Sequence, residues 1–105
     1  MYKHKLRLML LLLCLRGSAT SFADSQNDYN QTCAACHNLG VAGAPSIGDR
    51  DAWSNRVTKD KEVLYRNAIK GFSGNHGVMP PKGGFTNLSD DQVKAIVDYM
   101  IGVAK

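Results

Sequence analysis

The chain has 105 residues, with 13 Lys and Arg against 9 Asp and Glu, a formal net charge of +4 and 44% hydrophobic residues. That length allows one small domain. Four of the basic residues, Lys3, Lys5, Arg7 and Arg16, lie ahead of the first acid, Asp24, so removing them from the 13 leaves 9 basic against 9 acidic residues and no argument for nucleic-acid binding.

The first segment reads as a leader. A positive start is followed by an uncharged apolar run from Leu8 to Leu15 and a short mixed stretch ending Ser21-Phe22-Ala23. This is the pattern of a secretory signal peptide with small residues before the cut. The run is far below the ~20 residues needed to span a bilayer. Cys14 follows Leu13 rather than a small residue, which argues against lipidation there. Residues 1–23 are therefore expected to be removed, with a cut after Ala19 as the second option. The expectation is an exported, periplasmic protein with no stable membrane insertion, whose domain spans residues 24–105. A domain of that size buries a marginal core unless something staples it.

Asp24 to Ala35 reads as a first helix, capped by Asp24 or Ser25 and closing near His37-Asn38 ahead of Gly40. It carries Cys33-Ala34-Ala35-Cys36-His37. A Cys-x-x-Cys-His run reads as a covalent attachment site for c-type haem. On a helix, residues three and four apart share a face. Cys33 and Cys36 can then meet the two vinyl groups on one side of a porphyrin as thioethers, while His37 reaches the iron as proximal ligand. A redox dithiol would sit near a βαβ pattern, and the chain shows none. A zinc site would need four ligands at a regular spacing; Cys33, Cys36, His37 and His76 do not supply it.

Asn38 to Gly48 reads as a loop punctuated by Gly40, Gly43, Pro45 and Gly48. Pro45 is either a turn residue or the carbonyl that accepts the outer N–H of His37. Asp49 to Val57 holds a short helical turn around Trp53. That residue is either core or the donor of an indole N–H to a haem propionate. Asp60 to Lys70 reads as a second full helix stopped by Gly71, with Leu64, Tyr65, Ala68 and Ile69 as its apolar stripe. Phe72 to Asn87 reads as a long glycine-rich loop, the kind that is usually functional or disordered.

Leu88 to Ala104 is the best-defined helix. Ser89 and Gln92 make a capping box, with Leu88 and Val93 as its staple. Val93, Ile96, Val97, Met100, Ile101 and Ala104 mark one face. No alternating strand pattern is present, and the expected class is all-α, with three main helices.

The second axial position has three candidates. Met100 belongs to the core face of the last helix. His76 is flanked by Asn75 and Gly77, as a surface loop residue would be. Met79 precedes Pro80 and Pro81, which resist helix and hold it in a stiff segment. Met79 is the preferred iron ligand and His76 its substitute. Met/His ligation raises the potential, and two filled positions suit electron transfer.

These motifs, with Gly43-Ala44-Pro45 and Met79-Pro80-Pro81-Lys82-Gly83-Gly84, make the chain resemble a bacterial class I monohaem cytochrome c of the cytochrome c5 subgroup. The likeness runs from about Tyr29 to Gly102 and includes the Gly48-Asp49 pair, Trp53 with Arg56, and Asp98-Tyr99-Met100. It implies a small helical fold wrapped around one covalent haem. It also implies His37 and Met79 as iron ligands, Pro45 as the acceptor for His37, and Tyr29 and Tyr99 at a crossing of the first and last helices. Phe85 and Leu88 occupy places where some members carry a cysteine pair, so no disulfide is expected. The stretch Phe72 to Val78 is a few residues long for the type.

The implied function is a periplasmic single-electron carrier, monomeric or weakly dimeric, rather than an enzyme. Its partners would be protein donors and acceptors such as a membrane quinol-oxidising complex, a terminal oxidase or a reductase. The alternative is a haem-based gas-binding or sensor protein with a displaceable sixth ligand. Residues 56–82 carry six bases against two acids, while the segments on either side are net negative. This is either an ordinary solvated surface or a dipole that orients docking.

Overall fold

The computed structural model describes residues 21–104. The leader's charged start, its apolar run and the alternative cut after Ala19 lie outside the described residues.

Helix α1 spans Phe22–Gln31 and is capped by Ser21, whose hydroxyl accepts the Asp24 N–H at 3.2 Å. It begins before the Asp24 expected from sequence, so the expected cut after Ala23 falls inside its first turn. It also stops earlier than expected. The Thr32 hydroxyl donates back to the Asp28 carbonyl at 2.7 Å and to Cys33 Sγ at 3.4 Å, and the Thr32 backbone leaves helical geometry. This competition from a β-branched hydroxyl separates α1 from a short helix α2, Ala34–His37.

Beyond a 3-10 turn at Val41–Gly43, helix α3 spans Arg50–Ser54 behind an Asp49 cap. Helix α4 spans Lys61–Lys70, with Asp60 as cap and Gly71 ending it at φ 87°. That backbone angle is open to glycine and strained for other residues.

The long loop then departs from expectation. It opens with an antiparallel hairpin of β1, Phe72–Gly74, and β2, Gly77–Met79, paired Phe72 with Met79, Ser73 with Val78 and Gly74 with Gly77. Three residues per strand are too few to show an alternating pattern in sequence. The class remains a small helical fold, with this hairpin added. A second 3-10 turn, Pro81–Gly84, leads towards helix α5, Asp90–Ala104. The capping box is present in both directions: Ser89 N–H donates to Gln92 Oε1 at 2.9 Å, and Gln92 N–H donates to Ser89 Oγ at 3.1 Å.

Helix α5 is the centre of the core. Val93, Ile96, Val97, Tyr99, Met100, Ile101 and Ala104 are buried on it, joined by Tyr29, Trp53 and Leu88. Helices α1 and α5 meet through Tyr29 and Tyr99, whose ring centroids are 5.4 Å apart, and Phe22 packs edge-on against Tyr99 at 5.2 Å. Helix α4 reaches α5 through Asp98, which accepts from the Tyr65 hydroxyl at 2.5 Å and pairs with Lys61 at 3.3 Å.

Candidate functional site

One cavity of about 620 Å³ lies between α2, α4, the hairpin and α5. That volume is within the ~300–1,000 Å³ typical of cofactor sites. Its wall includes Cys33, Cys36 and His37, and elsewhere Met79, Phe85, Leu88 and Met100. The lining is mainly apolar, as a porphyrin plate requires.

Helix α2 is only four residues long, and its position is fixed from outside. His37 N–H donates to the Cys33 carbonyl at 3.0 Å, which winds the motif into one turn. The His37 carbonyl accepts from Ile47 N–H at 2.7 Å, and the Asn38 carbonyl accepts from Ser46 Oγ at 2.8 Å. The next loop is thereby folded back beside the histidine. That return places the Pro45 carbonyl 3.0 Å from His37 Nδ1. Nδ1 is the donor, so Nε2 is left as the free lone pair.

Burial is the main cause that lowers the His37 pKa. Arg56 also lowers it, while the bond to Pro45 opposes both. The ring is therefore neutral at neutral pH, the form that ligates a metal. Cys33 is half-buried and Cys36 exposed, with no disulfide between them. Burial pushes the Cys33 thiol up, partly offset by the Thr32 hydroxyl. Both thiols line the cavity. Among the described residues no three His, Cys, Asp or Glu side chains gather as a metal cluster. Two thiols and a neutral imidazole on one turn, facing an apolar cavity, fit a covalently held haem.

Trp53 is 6% exposed, lines the cavity and lies 6.4 Å from the His37 ring. Its indole N–H donates to the Ser46 carbonyl at 2.8 Å. The folded-back loop thus supplies the indole with a backbone acceptor. Met79 is half-buried at the end of β2 and faces the cavity wall. His76 is exposed in the hairpin turn.

Val93, Ile96, Val97 and Met100 also line the cavity. From sequence they had only a structural role, because a cofactor floor and a helix core share one periodicity. Phe85 and Leu88 likewise line it, so the positions that lack a cysteine pair carry apolar wall instead.

Residues 20–100 match the family described as cytochrome C oxidase, cbb3-type, subunit III. The chain is 46% identical to cytochrome c-555 of Chlorobaculum thiosulfatiphilum, over 73% of its own length and 90% of the relative's. It is 40% identical to cytochrome c-555 of Chlorobaculum tepidum, covering 89% and 88%. With cytochrome c5 of Ectopseudomonas mendocina it shares 38% identity, covering 83% and 99%. Its fold matches a chain in the crystal structure of an electron transfer complex of nitrite reductase with cytochrome c, at a TM-score of 0.68 and 33% identity, over 77% of this chain and 94% of that one. The chain belongs to the class I monohaem cytochromes c, in the group of cytochromes c5 and c-555, and its cofactor is one covalently bound c-type haem with its iron.

Proposed function

We propose that this protein is a periplasmic single-electron carrier, with Cys33 and Cys36 as the thioether positions and His37 and Met79 as the axial ligands. The carrying observation is the shared cavity: the attachment turn and Met79 border the same apolar space. When bound, the haem supplies an iron that gains and loses one electron. The chain's residues do the rest. Pro45 orients His37, the cavity wall excludes water, and Met79 offers a soft thioether that favours ferrous iron. His76 borders the same cavity, and Met79 is preferred over it because Met79 is half-buried, whereas His76 is exposed in the turn.

The partners are protein donors and acceptors, such as a membrane quinol-oxidising complex, a terminal oxidase or a reductase. The reductase reading draws support from the structural relative that was solved with a nitrite reductase. Among the described residues no helix is long and apolar enough to cross a membrane.

The optical spectrum of the ferric holoprotein tests the ligation. A weak far-red sulfur-to-iron band is expected in wild type and should vanish in Met79→Ala. Its absence from wild type would move the sixth ligand to His76 or open the site, and rapid carbon monoxide binding to the ferrous protein would then favour a gas-binding role.

A further inference from the structure

Met79 and His37 lie 42 positions apart in sequence, yet a backbone contact joins the segments that carry them. The 3-10 turn Val41–Gly43 rests against the tip of the hairpin. At Gly43, φ 81°, a Cβ would stand 1.7 Å from the His76 carbonyl oxygen; at Gly77, φ 149°, it would stand 2.4 Å from the Ala42 carbonyl oxygen. Both obstacles are backbone, which cannot swing away as a side-chain end can. The two glycines therefore let two main chains touch at a distance no other residue permits.

This contact sits between the axial candidates on both sides. Gly43 is two residues before Pro45, whose carbonyl holds His37. Gly77 is two residues before Met79 in the same strand. At the other end of the hairpin, a Cβ on Gly71 would meet the Met79 carbonyl at 2.9 Å and Pro81 at 3.1 Å. The strand bearing Met79 is thus confined at its tip by the histidine-side loop and at its base by Gly71. A thioether is a weak, neutral ligand, so its hold on a metal depends on how little the backbone must reorganise to present it.

Resting on the ligation proposed above, we propose that the Gly43–Gly77 contact is a positioning interlock that ties the Met79 segment to the His37 segment and sets how firmly Met79 is held on the iron. Gly43 and Gly77 border the cavity, and both are positioning residues that act through the backbone.

The test uses the holoprotein and the variants Gly43→Ala and Gly77→Ala. Gly48→Ala serves as control, because there the new Cβ would meet nothing within 4 Å. Readouts are the far-red ferric band, the carbon monoxide binding rate of the ferrous form, and the reduction potential. The expected result is a band weakened at least twofold, carbon monoxide binding at least tenfold faster and a lowered potential in Gly43→Ala and Gly77→Ala, with Gly48→Ala like wild type. Wild-type values in both interlock variants would overturn the proposal. Absence of the band from wild type would instead overturn the Met79 ligation on which it rests.

If the variants do not accumulate, hydrogen exchange on wild-type protein decides. Adding imidazole to displace Met79 should speed exchange at residues 77–79 and 41–44 together. Faster exchange at 77–79 alone would also overturn the interlock.

Discussion

His37 and Trp53 donate to consecutive carbonyls, Pro45 at 3.0 Å and Ser46 at 2.8 Å, with their rings 6.4 Å apart. One dipeptide thus fixes both the His37 imidazole and the largest aromatic wall of the cavity. The loop itself is fixed by two bonds back to the helix turn, from Ile47 N–H and Ser46 Oγ.

The proline keeps its carbonyl aimed because its φ is locked. Pro45→Ala retains the acceptor but loosens it. A weaker acceptor leaves the imidazole a poorer electron donor to the ferric iron. The reduction potential is therefore expected to rise by about 10–40 mV, the equivalent of up to ~1 kcal/mol for a one-electron couple. Redox titration of the two holoproteins checks this, and an unchanged potential would mean that other contacts hold the ring.

Trp53→Phe keeps an aromatic wall but removes the donor. The Ser46 carbonyl also accepts from Asp49 N–H at 3.0 Å, so it is not left wholly unpaired. The expected loss is about 1–2 kcal/mol, or a fall in Tm of roughly 4–16 °C for a domain of this size. The far-red band should survive, because the effect is on stability. Loss of the band with no loss of stability would contradict this assignment.

Tyr29 links the α1–α5 crossing to the site, since its hydroxyl donates to Asn38 Oδ1 at 2.6 Å beside His37. Burial, with smaller pushes from Cys33 and Tyr99, raises its pKa to about 12. An unfolded phenol titrates near ~10. Between pH 10 and 12 the unfolded chain loses this proton and the folded one keeps it. The contribution is therefore complete below pH 10 and lost as pH rises through 12. Tyr65, raised to about 12 chiefly by its bond to Asp98, acts in the same window but is less buried. Denaturant unfolding across pH 9–12 should show falling stability that Tyr29→Phe makes shallower. An unaltered slope would show that other groups set it.

The helices and the attachment turn were legible because each has a local signature. Asp60, Gly71, the Ser89–Gln92 box and the α5 stripe act within a few residues. The break at Thr32 was not legible, because a Thr hydroxyl bonded back to the carbonyl four residues earlier, as Thr32 is to Asp28, also occurs inside unbroken helices. The hairpin was hidden by its length and its glycines. The double role of Val93, Ile96, Val97 and Met100 was hidden because core and cofactor floor need the same apolar period. The acceptor of Trp53 depended on where a loop returned, which no spacing rule encodes. The positive middle segment is partly spent internally: Lys61 pairs with Asp98, and Lys82 pairs with Asp90 at 3.0 Å while donating to the Leu88 carbonyl at 2.6 Å. A docking role for that segment therefore falls to its other cations.

The first turn of α1 gives the last prediction. A chain cut after Ala23 loses Ser21, which caps α1, and Phe22, which packs on Tyr99 and lies 3.8 Å from the position a Cβ on Gly102 would take. A chain cut after Ala19 keeps both. An N-cap hydroxyl contributes about 1 kcal/mol, and the 63% exposed Phe22 ring adds the burial of its remaining surface. Holoprotein beginning at Thr20 should be more stable than holoprotein beginning at Asp24 by roughly 1–2 kcal/mol. Ser21→Ala in the longer form should give back about half of that difference. Thermal unfolding of the three proteins measures it, and the intact mass of the protein isolated from its own cells shows which start the cell produces. Equal stability of the two starts would mean that the turn is held by α5 packing downstream of Ala23, and that the cap and Phe22 add nothing to it.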